Sequence, residues 1–139
     1  MVARETVARW MAVGRSNLDD PFAAGRAAAS EALAGGDDPR LLIVFSADRF
    51  DGAALLAGIR SSAALVPLIG CTTAGEIARS GPGEIGVVVT ALGGPGFTVA
   101  TRASRQASTD LRAAGGKGAR RVRARPRPRD RLFRAGAGR

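Results

Sequence analysis

Histidine is absent from this chain and Cys71 is its only cysteine. Those absences remove Ser-His-Asp and Cys-His catalysis, zinc sites built on histidine or paired cysteines, and any disulfide within the chain. No metal or cofactor is expected, and a reducing compartment fits by default. Long apolar runs are also missing: stretches such as Leu41 to Phe45 fall far short of the ~20 residues that a membrane helix needs. Arg4, Glu5 and Arg9 interrupt the start of the chain with no apolar h-region after them, so no secretory signal is read. The expectation is a cytoplasmic protein with no membrane partner.

A chain of 139 residues fits one domain, and folding at this length buries roughly two thirds of the unfolded surface, enough for a real core. The formal charge of +9 invites a nucleic-acid partner until its distribution is considered. Residues 1–101 hold eight Arg against ten Asp or Glu, whereas residues 102–139 hold thirteen Lys or Arg against two Asp. The body is mildly acidic and the tail carries the charge.

Along the body, apolar runs alternate with helical patterns. Val7 to Gly14 reads as a mostly buried strand. Asp20 before Pro21 is an N-cap followed by a residue suited to the first helical position, with Phe22, Gly25, Ala29 and Leu33 at helical spacing and Gly35-Gly36 as the stop. Leu41 to Ser46 is a second strand, Asp51 caps a second helix with Leu55, Leu56, Ile59 and Ala63 as its stripe, and Val66 to Ile69 is a third strand. A helical linker requires the second and third strands to be parallel. Ile85 to Leu92 is another apolar run, and Gly93 to Gly96 suits a hairpin into a strand over Phe97 to Thr101. The fold class expected is α/β, a mixed, largely parallel sheet with flanking helices, incomplete at the C-terminal side.

The pattern D-x-x-A-A-G of Asp20 to Gly25 recurs from Asp110 to Gly115, where another capped helix begins and is not expected to develop. Of the 28 residues from Arg112 to Arg139, 23 are Arg, Ala, Gly or Pro, with no apolar periodicity to form a buried face. Lys117 is the only lysine beside twenty arginines, which points to a GC-rich gene, and such DNA translated out of frame gives this composition. Residues 116–139 are therefore expected to be a disordered basic tail produced by a frameshift just after Gly115. A genuine tail neutralising phosphates through Arg120 to Arg134 is the competing possibility. Only Phe133 is there to stack on bases, and Arg125-Pro-Arg-Pro-Arg has no helix to place it in a groove, so a nucleic-acid partner is not favoured.

The most informative element is Gly70-Cys-Thr-Thr-Ala-Gly-Glu76, expected as a loop beyond the carboxyl end of the third strand, where ligands usually bind. Thr73-x-x-Glu76 has capping-box spacing, so a plain helix start accounts for it. Gly70 and Gly75 would also let the backbone approach a ligand, while exposed amides and the Thr72 and Thr73 hydroxyls hold a carboxylate or another anion. Cys71 as a thiolate nucleophile is weighed against a small buried filler, and the filler is favoured because no histidine exists to act as base. Asp51 is explained as a cap and Asp48 as an exposed turn residue, so no catalytic pair forms with Glu76. If the first three strands run in one direction, Arg15, Ser46, Thr72 and Thr73 lie along one sheet edge, with Arg15 pairing a ligand carboxylate and the hydroxyls donating to it. Solvated loop residues are the plain alternative for Arg15 and Arg49.

At these residues the chain resembles the N-terminal half of the FIST sensory domain, a module of bacterial signal-transduction proteins that also occurs in eukaryotic F-box proteins. The matching segments are GRSNLDDPFAAGRAAASEAL, LLIVFSADRFDGAALLAGIR, PLIGCTTAGEI and VVVTALGGPGFTVAT, covering about Ala12 to Gly115, with GCTTAGEI the most specific. The resemblance implies a non-enzymatic cytoplasmic input domain that senses a small molecule, such as an amino acid, and signals to an output partner. Cys71, Thr72, Thr73, Gly75 and Glu76 match the family motif, and Arg15, Ser46 and Gly70 complete the expected ligand site. Residues 1–115 are then a partial sensory domain lacking strands, whose loss would bare an edge and an apolar face. Two alternatives remain: a small Cys71-dependent enzyme using the Gly70–Glu76 loop as an oxyanion site, and a basic nucleic-acid-binding protein.

Overall fold

The computed structural model describes residues 8–73, 76–78, 81–83, 86–104 and 107–123, with the backbone alone for 76–78, 81–83 and the side chains of 117, 118 and 120–123 left aside. The expected contributions of Val7, Gly75, Ile85, Arg125 and Phe133 lie outside the described residues. The chain divides into two units, up to Val99 and from Ala100.

In the first unit, β1 (Trp10–Ser16) leads into α1 (Pro21–Leu33), then β2 (Pro39–Ala47), α2 (Gly52–Ser62) and β3 (Leu68–Thr73). Two short strands, β4 (Glu76–Ala78) and β5 (Gly81–Gly83), form an antiparallel pair of their own, and β6 (Val87–Gly93) returns to the main sheet. That sheet has the order β1-β6-β2-β3. The α/β class with a mixed sheet holds. Because β6 inserts between β1 and β2, however, two of its ladders are antiparallel and only β2 with β3 is parallel. The first three strands do run in one direction; it is their pairing that is not largely parallel.

The same insertion explains why no hairpin follows Gly93. β6 has a partner on each side and so offers no free edge to a strand at Phe97 to Thr101, which lies in irregular backbone. The chain is instead tied to the start of the sheet. The Gly94 amide donates to Asp38 O at 3.1 Å, and the Arg9 guanidinium donates to Pro95 O and Gly96 O, each at 3.3 Å.

Both helices start where the sequence places them. Asp20 Oδ2 accepts the Ala23 amide and Asp51 Oδ1 the Ala54 amide, each at 2.7 Å, which satisfies donors that have no partner inside the helix. The buried faces differ from the expected stripes. α1 buries Ala24, Gly25, Ala28, Ala29 and Ala32, while Phe22 is exposed; α2 buries Leu55, Gly58 and Ile59, while Leu56 is exposed. Small side chains let α1 sit close to two neighbours at once, the sheet and α2, so the large residue turns outward. A Cβ at Gly58 would run into the Phe22 carbonyl and one at Gly25 into the Leu55 carbonyl, so the two helices approach closely at both glycines.

The core lies between these helices and one face of the sheet, around Leu42, Val44, Val87, Val89, Ala91, Leu55 and Ile59. Full burial of a side chain such as Leu42 or Ile59 contributes about 1.5–3 kcal/mol. The opposite face carries Met11, Val13, Phe45 and Ile69, all exposed.

In the second unit a single 3-10 turn, Ala107–Thr109, precedes α3 (Leu111–Arg123). Asp110 caps it as the repeated pattern predicts, accepting the Ala113 amide at 2.8 Å. The helix does not stop at Gly115. Alanine and arginine have high helix propensity, so the backbone continues helically to Arg123.

Candidate functional site at the strand ends

The chain does not leave the sheet at Gly70. Gly70, Cys71, Thr72 and Thr73 continue β3, paired in register with Val44, Phe45, Ser46 and Ala47. A Cβ at Gly70 would strike the Val44 carbonyl, so strand packing alone accounts for this glycine. The helix start expected from Thr73-x-x-Glu76 is replaced by a strand: Glu76 pairs with Gly83 in the β4–β5 pair, and ladder bonds rather than a capping box engage the backbone there.

Because β1, β2 and β3 point the same way, Ser16, Ser46 and Thr72 reach one end of the sheet, as expected for a site at the carboxyl ends of strands. The register sorts the residues by face. Ser16, Val87, Ser46 and Thr72 form one row, on the side of Gly14, Leu42 and Val44 against which the helices pack. Arg15, Val88, Phe45 and Cys71 form the next row, on the opposite side. Ser46 and Thr72 are direct neighbours, about 4.8 Å apart across the ladder. Arg15 is on the other face from both, and its row partner Cys71 is three strand spacings away, about 14 Å. The sheet therefore brings Ser46 and Thr72 together on one face and leaves Arg15, like Thr73, on the other. Gly75 lies outside the described residues, and of Glu76 the backbone pairing is described.

Cys71 is exposed, not a buried filler. It stands on an outer strand and on the face away from α1 and α2. Ser16 and Ser46 are the buried polar residues of the first unit, at 8% and 6% exposure. Ser16 Oγ accepts the Leu18 amide at 3.3 Å, closing the turn after β1. Alternation along Ala12, Gly14 and Ser16, small residues on one face of a strand, is the signal that would have singled out Ser16.

The loops at this end are fastened to each other. Arg49, after β2, pairs with Asp19, after β1, at 3.2 Å, and its guanidinium lies 4.3 Å from the centre of the Phe50 ring. Arg49 is exposed, as a solvated loop residue would be, and its ion pair also links the two loops at the surface. With Asp19, Asp20, Asp48 and Asp51 against Arg15 and Arg49, the described loops at the strand ends carry more carboxylates than guanidiniums. Asp20 and Asp51 are spent on their helix caps.

An open α/β sheet whose three co-directional strands end in hydroxyl-bearing residues, with two capped helices on one face, is an α/β architecture that by itself fixes no ligand. The FIST N domain family model matches residues 8–135, nearly the whole chain, and the protein belongs to that family, a family of signal-transduction sensory domains. The match runs across Gly115 and through most of the arginine-rich segment. No curated protein matches the chain significantly. Among the described residues no helix is long and apolar enough to cross a membrane.

Proposed function

We propose that this FIST N domain is a small-ligand-sensing input domain of intracellular signal transduction, that it acts in the cytoplasm, and that it catalyses no reaction itself. Family membership supports the sensory role. The observation that carries the site is the row Ser16, Ser46 and Thr72, three hydroxyls at the carboxyl ends of co-directional strands, with Thr73 next along β3 on the opposite face. Hydroxyls both donate and accept, so this row suits a ligand with polar groups of mixed character. An amino acid, whose carboxylate needs donors and whose ammonium group needs acceptors, is a ligand of that kind. Arg15 and Cys71 would touch the same ligand only round the strand ends, past Val88 and Phe45.

The test is thermal unfolding of the full chain against a panel of free amino acids. A ligand at a hundredfold excess over its Kd stabilises the folded state by about 2.7 kcal/mol. That stabilisation is expected to survive Cys71→Ser and to be lost in Ser46→Ala with Thr72→Val. Its loss in Cys71→Ser alone would favour the Cys71-dependent enzyme, and a panel that shifts nothing would remove the amino-acid ligand.

A further inference from the structure

The two outer strands of the sheet are finished differently. On β1 the Arg15 amide donates to a Glu31 carboxylate oxygen at 2.8 Å, so a charged side chain from α1 occupies that edge. β3 itself carries no charge, for no Lys, Arg, Asp or Glu occurs from Ser61 to Thr73. The Leu42 amide donates to Pro67 O at 2.9 Å, which sets the phase of the ladder. Backbone groups of successive strand residues alternate in direction. Ile69 and Cys71 therefore turn theirs to β2, and Leu68, Gly70 and Thr72 turn theirs outward. Among the described residues no strand pairs with that edge. The following strand, β4, lies against β2 and β6, on the inner side of β3. Ile69 is 47% exposed beside the edge and Leu65, just before the strand, is 96% exposed.

We propose that β3 pairs antiparallel with β3 of a second copy of this chain, about a two-fold axis at Gly70, joining two four-stranded sheets into one of eight. The charge pattern selects the occupant. A two-fold interface sets a surface against itself, so any charge on it meets its own sign; a stretch with none meets itself without that cost. Register follows from the outward groups. Placing Gly70 opposite Gly70 and Leu68 opposite Thr72 uses all three outward residues of both copies, and a shift of centre by one residue in either direction leaves one of them without a match. Ile69 and Cys71 then face each other across the axis as a pair without direct ladder bonds. Such pairs have Cα atoms about 4.5 Å apart, within the disulfide range of about 4.4–6.8 Å.

Sedimentation equilibrium of the full chain over a dilution series is expected to give twice the 14.2 kDa chain mass. Ile69→Lys places a charge beside the axis and should halve the sedimenting mass while the chain keeps a cooperative unfolding transition. Ile69→Cys should yield a disulfide-linked dimer on mild oxidation, which the further change Cys71→Ser abolishes. A wild-type chain that stays at monomer mass throughout overturns the proposal, as does a dimer that persists in Ile69→Lys. If Ile69→Lys does not fold, Ile69→Cys decides alone: failure to cross-link a chain that sediments as a dimer places the interface elsewhere and overturns it.

Discussion

Two glycines in one helix separate packing from propensity. Gly52 is the first residue of α2 and has nothing within 4 Å of where a Cβ would stand, and neither Gly52 nor Gly58 has a positive φ. Gly58, six residues on, would drive a Cβ into the backbone carbonyl, carbonyl carbon and Cα of Phe22. Backbone cannot swing aside as a side chain can, so Gly58→Ala must push α1 and α2 apart. Overpacking of this kind costs about 1–3 kcal/mol, and the upper part of that range applies because the obstacle is main chain. Alanine returns about 1 kcal/mol of helix propensity, leaving a net loss of about 2 kcal/mol. Gly52→Ala meets no obstacle and gains about 0.5 kcal/mol by restricting the unfolded chain. Urea unfolding of both variants at one protein concentration should separate their stabilities by about 2.5 kcal/mol, or at least about 1 M in midpoint. If Gly58→Ala is as stable as the wild type, the helices are not in the close contact described and the placement of the core between them is wrong.

The same measurement checks two further features. Asp51→Ala and Asp20→Ala each remove a carboxylate that accepts a helix-end amide at 2.7 Å, and each is expected to lose about 1 kcal/mol, whereas Asp51→Asn should lose little because its side-chain oxygen still accepts. Glu31→Ala strips the β1 edge of its hydrogen bond from Arg15, with an expected loss of about 1 kcal/mol and, by light scattering, a rise in larger species as a second open edge appears.

What the sequence disclosed was local, and what it concealed was long-range. Asp20, Asp51 and Asp110 announce their helices by chemistry confined to four residues, and all three cap as expected. The β2–α2–β3 crossover was equally legible, because an apolar run, a capped helix and a second apolar run leave little choice of pairing. The place of β6 was not. Its run of valines fits any buried strand, and nothing in Val87 to Gly93 says that it must lie between β1 and β2. From that single insertion follow the antiparallel ladders and the absent hairpin beyond Gly93. Within the candidate site, residue types at the strand ends were visible, but their division between two faces depends on where β3 stops. Gly70 reads as a turn residue by type, yet it is held inside the strand by the Val44 carbonyl. Thr73-x-x-Glu76 has the spacing of a cap and sits where the chain passes from one strand to another, since a two-point motif is outweighed by continued ladder pairing.

The strand at the middle of the sheet is the last of the sheet to be synthesised. As the chain leaves a ribosome, β1 and β2 have no partner between them until Val87 to Gly93 has emerged, and their outer faces and edges wait in the meantime. Closure of the sheet depends on contacts between Trp10 and Gly93, near opposite ends of the unit, a separation that slows folding and prolongs exposure of unpaired strand. A chain ended before Val87 would not be a slightly smaller version of this domain. It would be two halves of a sheet, β1 with α1 on one side and β2 with β3 on the other, lacking the strand that stitches them together.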